Sequence, residues 1–348
     1  MSEETIEDLI AEGETLLMGE HSAEALAVFD RALERAPHQA RAWNGKGLAL
    51  SRLDRDEESL EAYVRATAED MTYAGAWRNL GVHYRRLQRP KDALRAYRRA
   101  TKYNSQDAHS YFNEALLLLF ELEDPEAALK AAQQAIEVDA GEADYHHVHG
   151  HALSVLERHE EALASYATSL QLRADQAEVQ TDVGVAMGSL QRYPEAVAAF
   201  DRALELDPAF GHAHLNRGIA LTHLDQPEEA LAAFERSIVL DPDAAPARQL
   251  QAQTLLDLER YEQAGHAYVR AIKLQSGNAN LYAGLGHAMI ALKRYQHAAI
   301  AFDYAVHLDP RFARAWADRG DALKELDRLD EAEEAYQKAR NLGVECGA

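Results

Sequence analysis

A period of 34 residues constrains this chain more than any other feature. The segment Ala279–Phe312 reads ANLYAGLGHAMIALKRYQHAAIAFDYAVHLDPRF, with apolar residues at helical spacing on both sides of Lys293-Arg294-Tyr295. The pattern predicts two helices joined by a turn, with Pro310 closing the second because proline cannot continue a helix. Small residues fall where the helices meet, Gly286 in the first and Ala298 and Ala305 in the second, while Tyr282, Leu285 and Phe302 supply bulk. Glycine lets the two backbones approach, at a helix-propensity cost of ~1 kcal/mol. Each such hairpin leaves an apolar face that only the next hairpin can bury, so the chain grows by stacking and needs no single large core.

The period runs from Ile6 to Cys346, in units at 6–39, 40–73, 74–107, 108–142, 143–176, 177–210, 211–244, 245–278, 279–312 and 313–346. The fourth unit has one extra residue, near Glu121–Pro125. Every first helix carries a small residue at one place, glycine except at Ala115 and Ala252. Every second helix carries alanine except at Ser59, followed by an aromatic except at Ala132. The spacing resembles the tetratricopeptide repeat (TPR), whose pattern of an aromatic, Leu-Gly, Ala, an aromatic, Ala and Pro falls on Tyr282, Leu285, Gly286, Ala298, Phe302, Ala305 and Pro310. The resemblance covers nearly the whole chain. It implies an all-α fold, a right-handed α-solenoid (TPR superhelix) of ten helix–turn–helix repeats, expected here as a single solenoid over 1–348. In the last unit, Glu333 and Arg340 stand where other units are apolar. Seven residues apart, they share a helical face and fit a terminal cap.

Composition narrows the function. A net charge of −22 over 348 residues argues against general nucleic-acid binding. The start Met1-Ser-Glu-Glu-Thr does not resemble a signal peptide, and no apolar run is long enough to span a bilayer. The one cysteine, Cys346, cannot form an internal disulfide. A cytoplasmic protein without membrane insertion is expected. Neither a glycine-rich phosphate loop nor a Gly-x-Ser-x-Gly elbow occurs, so no enzyme, catalytic residue or cofactor is expected.

The resemblance implies a concave groove lined by first-helix positions two, five, six, nine, twelve and thirteen. In the third and fourth units these give Arg78, Asn79, Arg85 and Arg86, then His109, Phe112, Asn113 and Phe120. Asparagine at position six, also found at Asn216, holds peptide backbone in some family members, because one amide both donates and accepts. Unit 74–107 has nine basic residues against two acidic, a net of +7, and arginine favours carboxylate or phosphate partners. The carboxylate clamp of chaperone-binding relatives finds no matching run of units. His147 and His151 share a helical face and could hold a divalent ion, with Asp182 or His109 as a possible completion, but without a fixed third ligand no metal site is expected. The leading expectation is a scaffold binding a peptide or partner protein, with an acidic segment, in the groove of repeats three to five. The alternatives are a self-assembling protein whose basic repeat meets an acidic surface of another copy, giving a homo-oligomer, and a metal- or pH-responsive module at His147 and His151.

Overall fold

The computed structural model describes residues 5–344, and Cys346 lies outside them. They form helices and turns, with no strand among the described residues. The first five helix pairs are α1 (Ile6–Met18) with α2 (Ser22–Arg35), α3 (Ala40–Arg52) with α4 (Asp56–Glu69), α5 (Ala74–Arg86) with α6 (Pro90–Tyr103), α7 (Ala108–Phe120) with α8 (Pro125–Val138), and α9 (Ala143–Val155) with α10 (His159–Leu172). The next five are α11 (Ala177–Ser189) with α12 (Tyr193–Leu206), α13 (Gly211–His223) with α14 (Pro227–Leu240), α15 (Ala245–Asp257) with α16 (Tyr261–Leu274), α17 (Ala279–Ala291) with α18 (Tyr295–Leu308), and α19 (Ala313–Lys324) with α20 (Leu329–Asn341). Tertiary contacts divide the chain into two compact units, Met1–Ala174 and Asp175–Ala348, each holding five hairpins. No helix among the described residues is long and apolar enough to cross a membrane.

The turns inside the hairpins share one construction. In the second hairpin, Asp54 adopts φ 56°, the Arg55 N–H donates to Leu50 O at 3.0 Å and the Asp54 N–H to Ser51 O at 3.3 Å. These are the two bonds of a Schellman cap, which satisfies carbonyls that the helix end leaves open. Each hairpin turn has one such left-handed residue, and in every case it is not glycine. The extra residue of the fourth hairpin is absorbed in its turn: Glu123 takes the positive φ, and the Asp124 N–H reaches back to Leu118 O at 2.9 Å. Links between hairpins are tied by side chains. Trp43, Trp77 and Trp316 donate from Nε1 to the carbonyls of Pro37, Met71 and Pro310 at 2.7, 2.8 and 3.0 Å.

Packing gives the recurrent glycine a sharper role than backbone approach alone. The aromatic ring of the second helix lies directly over it. A Cβ placed on Gly286 would sit 2.6 Å from Phe302 Cε1, and one on Gly218 would sit 2.5 Å from Phe234 Cε1. Both rings are fully buried. The two departures in the fourth hairpin compensate each other: with Ala132 in place of the ring, Ala115 can replace glycine, and both are buried in one cluster. In the eighth hairpin, Tyr268 instead faces Gly284 of the next first helix, where an added Cβ would meet its ring at 2.3 Å. Ala298 has no exposed surface. Its replacement by leucine should overpack the α17–α18 contact and cost ~1–3 kcal/mol, read as a lowered urea midpoint at unchanged slope.

At the end of the chain, the Arg340 guanidinium donates to the Glu333 carboxylate along the outer face of α20 and to Gln337 Oε1 at 3.0 Å. The outer face of α20 thus carries this ion pair beside the exposed side chain of Leu329.

Candidate functional site

The basic residues of α5 are held by its neighbours. Arg78 Nη1 donates to Asp107 Oδ1 at 2.8 Å, and Asp107 is itself buried and caps α7 by accepting from the Ser110 N–H at 3.3 Å, with the Ser110 hydroxyl donating to its other oxygen at 2.7 Å. Arg85 donates from Nε to the Glu121 carboxylate, just past the other end of α7. Two arginines of α5 thus clasp α7 at both its ends, which sets the two first helices side by side. Arg86 turns the opposite way, donating to Ser51 O at 2.8 Å and to the Asp56 carboxylate. Asn79 donates from Nδ2 to Asn44 Oδ1 on α3 at 2.9 Å.

On α7, His109, Asn113 and Phe120 are separated by four and seven residues and share one face. His109 Nδ1 is 3.0 Å from the Tyr145 hydroxyl on α9. Burial pushes the Tyr145 phenol above its ordinary value, so the hydroxyl stays neutral and available to the imidazole. The Phe112 ring is half-buried, with its centroid 5.1 Å from that of Tyr145. Phe120 behaves differently. It is 53% exposed, with its ring edge-to-face with His151 at a centroid separation of 5.2 Å. Between them, Asn113 is half-buried, and its amide has no hydrogen-bond partner among the described residues. The structure therefore brings together Arg78, Asn79, Arg85, Arg86, His109, Phe112, Asn113 and Phe120 on two adjoining first helices.

Asn216 belongs to the second unit. It donates to His212 O at 3.0 Å within its own helix and lines a cavity of about 260 Å³ beside the stacked rings of Tyr193 and His223. In the histidine tract, His146 bonds Ala140 O at 3.1 Å and His149 bonds Ser165 Oγ at 2.9 Å. His147 and His151 are one helical turn apart, with ring centroids separated by 6.4 Å. On the second helix of the basic hairpin, Arg95 pairs with Asp92 and Arg98 with Glu114, at 3.1 and 2.8 Å. Burial raises the Glu114 carboxyl pKa above its usual value, against the opposing effect of Arg98. Arg99 lies 4.9 Å over the Trp77 ring.

The arginine partners Asp56, Glu114 and Glu121 come from the hairpins on either side of the basic one. Counting charges within the unit missed them, because hairpin stacking and not sequence proximity supplies the pairing. A second feature that the sequence reading passed over is an apolar cavity between α16 and α18. Its signal was Gly265, which stands one residue after the recurrent alanine, where seven other hairpins have leucine or valine.

No curated protein matches the chain. Among solved structures, a protein from a study of Pseudomonas aeruginosa pilF is similar at 18% identity, with a TM-score of 0.53 over 62% of this chain and 97% of that one. YrrB, described as a TPR protein with an unusual peptide-binding site, is 22% identical over 54% of this chain and 96% of that one, at a TM-score of 0.47. MamA from Desulfovibrio magneticus is 20% identical over 48% of this chain and 94% of that one, at 0.46. At these identities the likeness concerns the fold alone. The sequence pattern of the tetratricopeptide repeat matches residues 10–74, 188–245 and 250–311, and related patterns of the same name match 74–107, 108–142 and 313–340. With most of its length matched and its helices paired throughout, the chain belongs to the tetratricopeptide repeat family.

Proposed function

We propose that this chain is a non-enzymatic interaction scaffold that binds a peptide or a partner-protein segment along the first helices α5, α7 and α9. The observation that carries this reading is the pairing on α7 of an unpartnered amide, Asn113, with an exposed aromatic ring, Phe120. The amide can bond a peptide backbone through both its donor and its acceptor. The ring leaves apolar area in water, at ~25 cal/mol per Å², which an incoming apolar side chain would cover. The arginines add a preference for acidic segments. Arg85 and Arg86 are partly exposed in their ion pairs, and such pairs contribute only ~0–1 kcal/mol. An incoming carboxylate can therefore take the place of Glu121 or Asp56 at little cost. A cytoplasmic setting belongs to the same reading, supported by a single cysteine in 348 residues.

The test uses peptides selected from a random library against the whole protein. Asn113→Ala and Phe120→Ala should each weaken a selected peptide several-fold at unchanged melting temperature, the loss of one hydrogen bond being ~1 kcal/mol. Arg85→Glu should weaken it more at low salt than at high salt, because salt screens exposed charges. Selected peptides that bind all three variants as they bind the wild type would place the functional surface elsewhere.

A further inference from the structure

The second unit contains a cavity of about 340 Å³ between α16 and α18, with α17 as its floor. Its walls are almost wholly apolar, formed by Val269, Ile272, Leu285, Met289 and Ile300, with Tyr304 at the lip. One residue of its wall is exceptional. After the recurrent alanine, second helices carry Leu26, Leu60, Leu94, Leu129, Leu163, Val197 and Leu231, and these side chains project toward the next hairpin. At that place α16 has Gly265, so the chain does not supply its own filling group. The Met289 ε-methyl and Leu285 Cδ1 reach toward the vacant position, 2.8 and 4.0 Å from where a Cβ would stand.

The same groove between α8 and α10 gives an internal comparison. There Leu129 is present and the space is larger, about 690 Å³, but the lining positions equivalent to Val269 and Leu285 are the polar Gln133 and His149. The α16–α18 groove therefore differs twice: its filling side chain is gone, and its walls have become apolar. Around the opening, Val269, Ile300 and Tyr304 are 43%, 45% and 55% exposed. The polar lining consists of His266, His297 and an ion pair, Arg294 Nη2 donating to Glu262 Oε1 at 2.8 Å.

We infer that this cavity is a binding site for an uncharged small molecule with an aromatic or aliphatic body. Its volume lies at the lower end of small-ligand pockets, roughly 300–1,000 Å³. With the charges of Arg294 and Glu262 paired, the rim asks for no ionic group on the ligand, and the largely apolar walls select by shape and hydrophobicity. This site is independent of the peptide surface on α5 and α7 and lies in the other unit.

The experiment follows the ε-methyl of Met289 and the methyls of Ile300 by NMR while indole, and separately decanol, is added to the full chain. Decanoate serves as a charged comparison. Indole and decanol should shift these methyls saturably, with Kd below about 1 mM, and decanoate should bind at least about tenfold more weakly than decanol. Gly265→Leu restores the filling group found in other hairpins and should weaken indole at least about tenfold. It should keep or raise the melting temperature, since the methionine end can move aside and leucine exceeds glycine in helix propensity by ~1 kcal/mol. Ile300→Gln, at an exposed position where folding is not at stake, should weaken indole several-fold. The inference is overturned if neither neutral probe shifts the methyls, or if Gly265→Leu binds indole like the wild type. It is equally overturned if sedimentation shows dimers that Tyr304→Glu disperses, since a second copy would then occupy the cavity.

Discussion

Phe302→Ala should destabilise the protein by ~3–5 kcal/mol, the usual cost of removing a buried aromatic side chain. The ring has no exposed surface and lies in one cluster with Ala283 of α17, Ala298, Ala305 and Val306 of α18, and Ala315 of α19. It therefore joins two hairpins, and its loss weakens both a hairpin and an interface. In a stacked array the coupling is between neighbours, so hydrogen-exchange protection should fall in α17–α20 well before α11–α14. Equal loss along the whole second unit would refute this picture. The fourth hairpin supplies a rescue. Gly286→Ala alone should be destabilising, because its Cβ would stand 2.6 Å from the ring. In the Phe302→Ala background the same change should stabilise by ~1 kcal/mol, the helix-propensity difference between alanine and glycine, as Ala115 and Ala132 coexist in α7 and α8. A rescue variant as unstable as the Phe302→Ala parent would show that ring and glycine are not a coupled pair.

Glu333→Leu combined with Arg340→Leu should convert a monodisperse protein into dimers or larger species. The two residues bond each other across the outer face of α20. Leu329, four residues before Glu333 and 60% exposed, lies on the same helical face. Two added leucines would extend it into a continuous apolar stripe at the end of the array. Each leucine fully buried on association contributes roughly 1.5–3 kcal/mol, and patches of this kind drive self-association. Sedimentation velocity across a concentration series measures the outcome. A double variant that sediments as the wild type does at every concentration would mean that the polar face is not a cap.

The hairpins were legible in the sequence because their signals are local. Apolar spacing, the small residue of the first helix and the alanine and aromatic of the second all recur within 34 residues, and the helices begin where that register places them. The extra residue near Glu121–Pro125 was visible for the same reason, though only the backbone reveals that the turn absorbs it through Glu123. The candidate site was legible as a set of residues on two first helices, but not as a network. Arg85 and Arg86 looked like cations in excess when charges were summed within one hairpin. Stacking brings Glu121 to Arg85 and Asp56 to Arg86, and nothing in the local sequence encodes those meetings. Phe112 and Phe120 looked alike in sequence, yet Phe112 is half-buried against Tyr145, while Phe120 beside His151 remains exposed. Gly265 was overlooked because a glycine in a second helix resembles drift until its neighbours show the space it leaves.

The left-handed residue in each turn also makes the chain a measuring scale. Positions such as Asp225, Glu259 and Lys293 share one backbone conformation, φ 57–58°, and all three are exposed. They mark successive hairpins like graduations on a rule, and Cys346 is the only native thiol that would compete for a label. Spin labels attached at Asp225 and Lys293 would report the advance over two hairpins as a single distance. The same labels, followed while a peptide or indole is added, would register any stretching or winding of that segment without touching either binding surface.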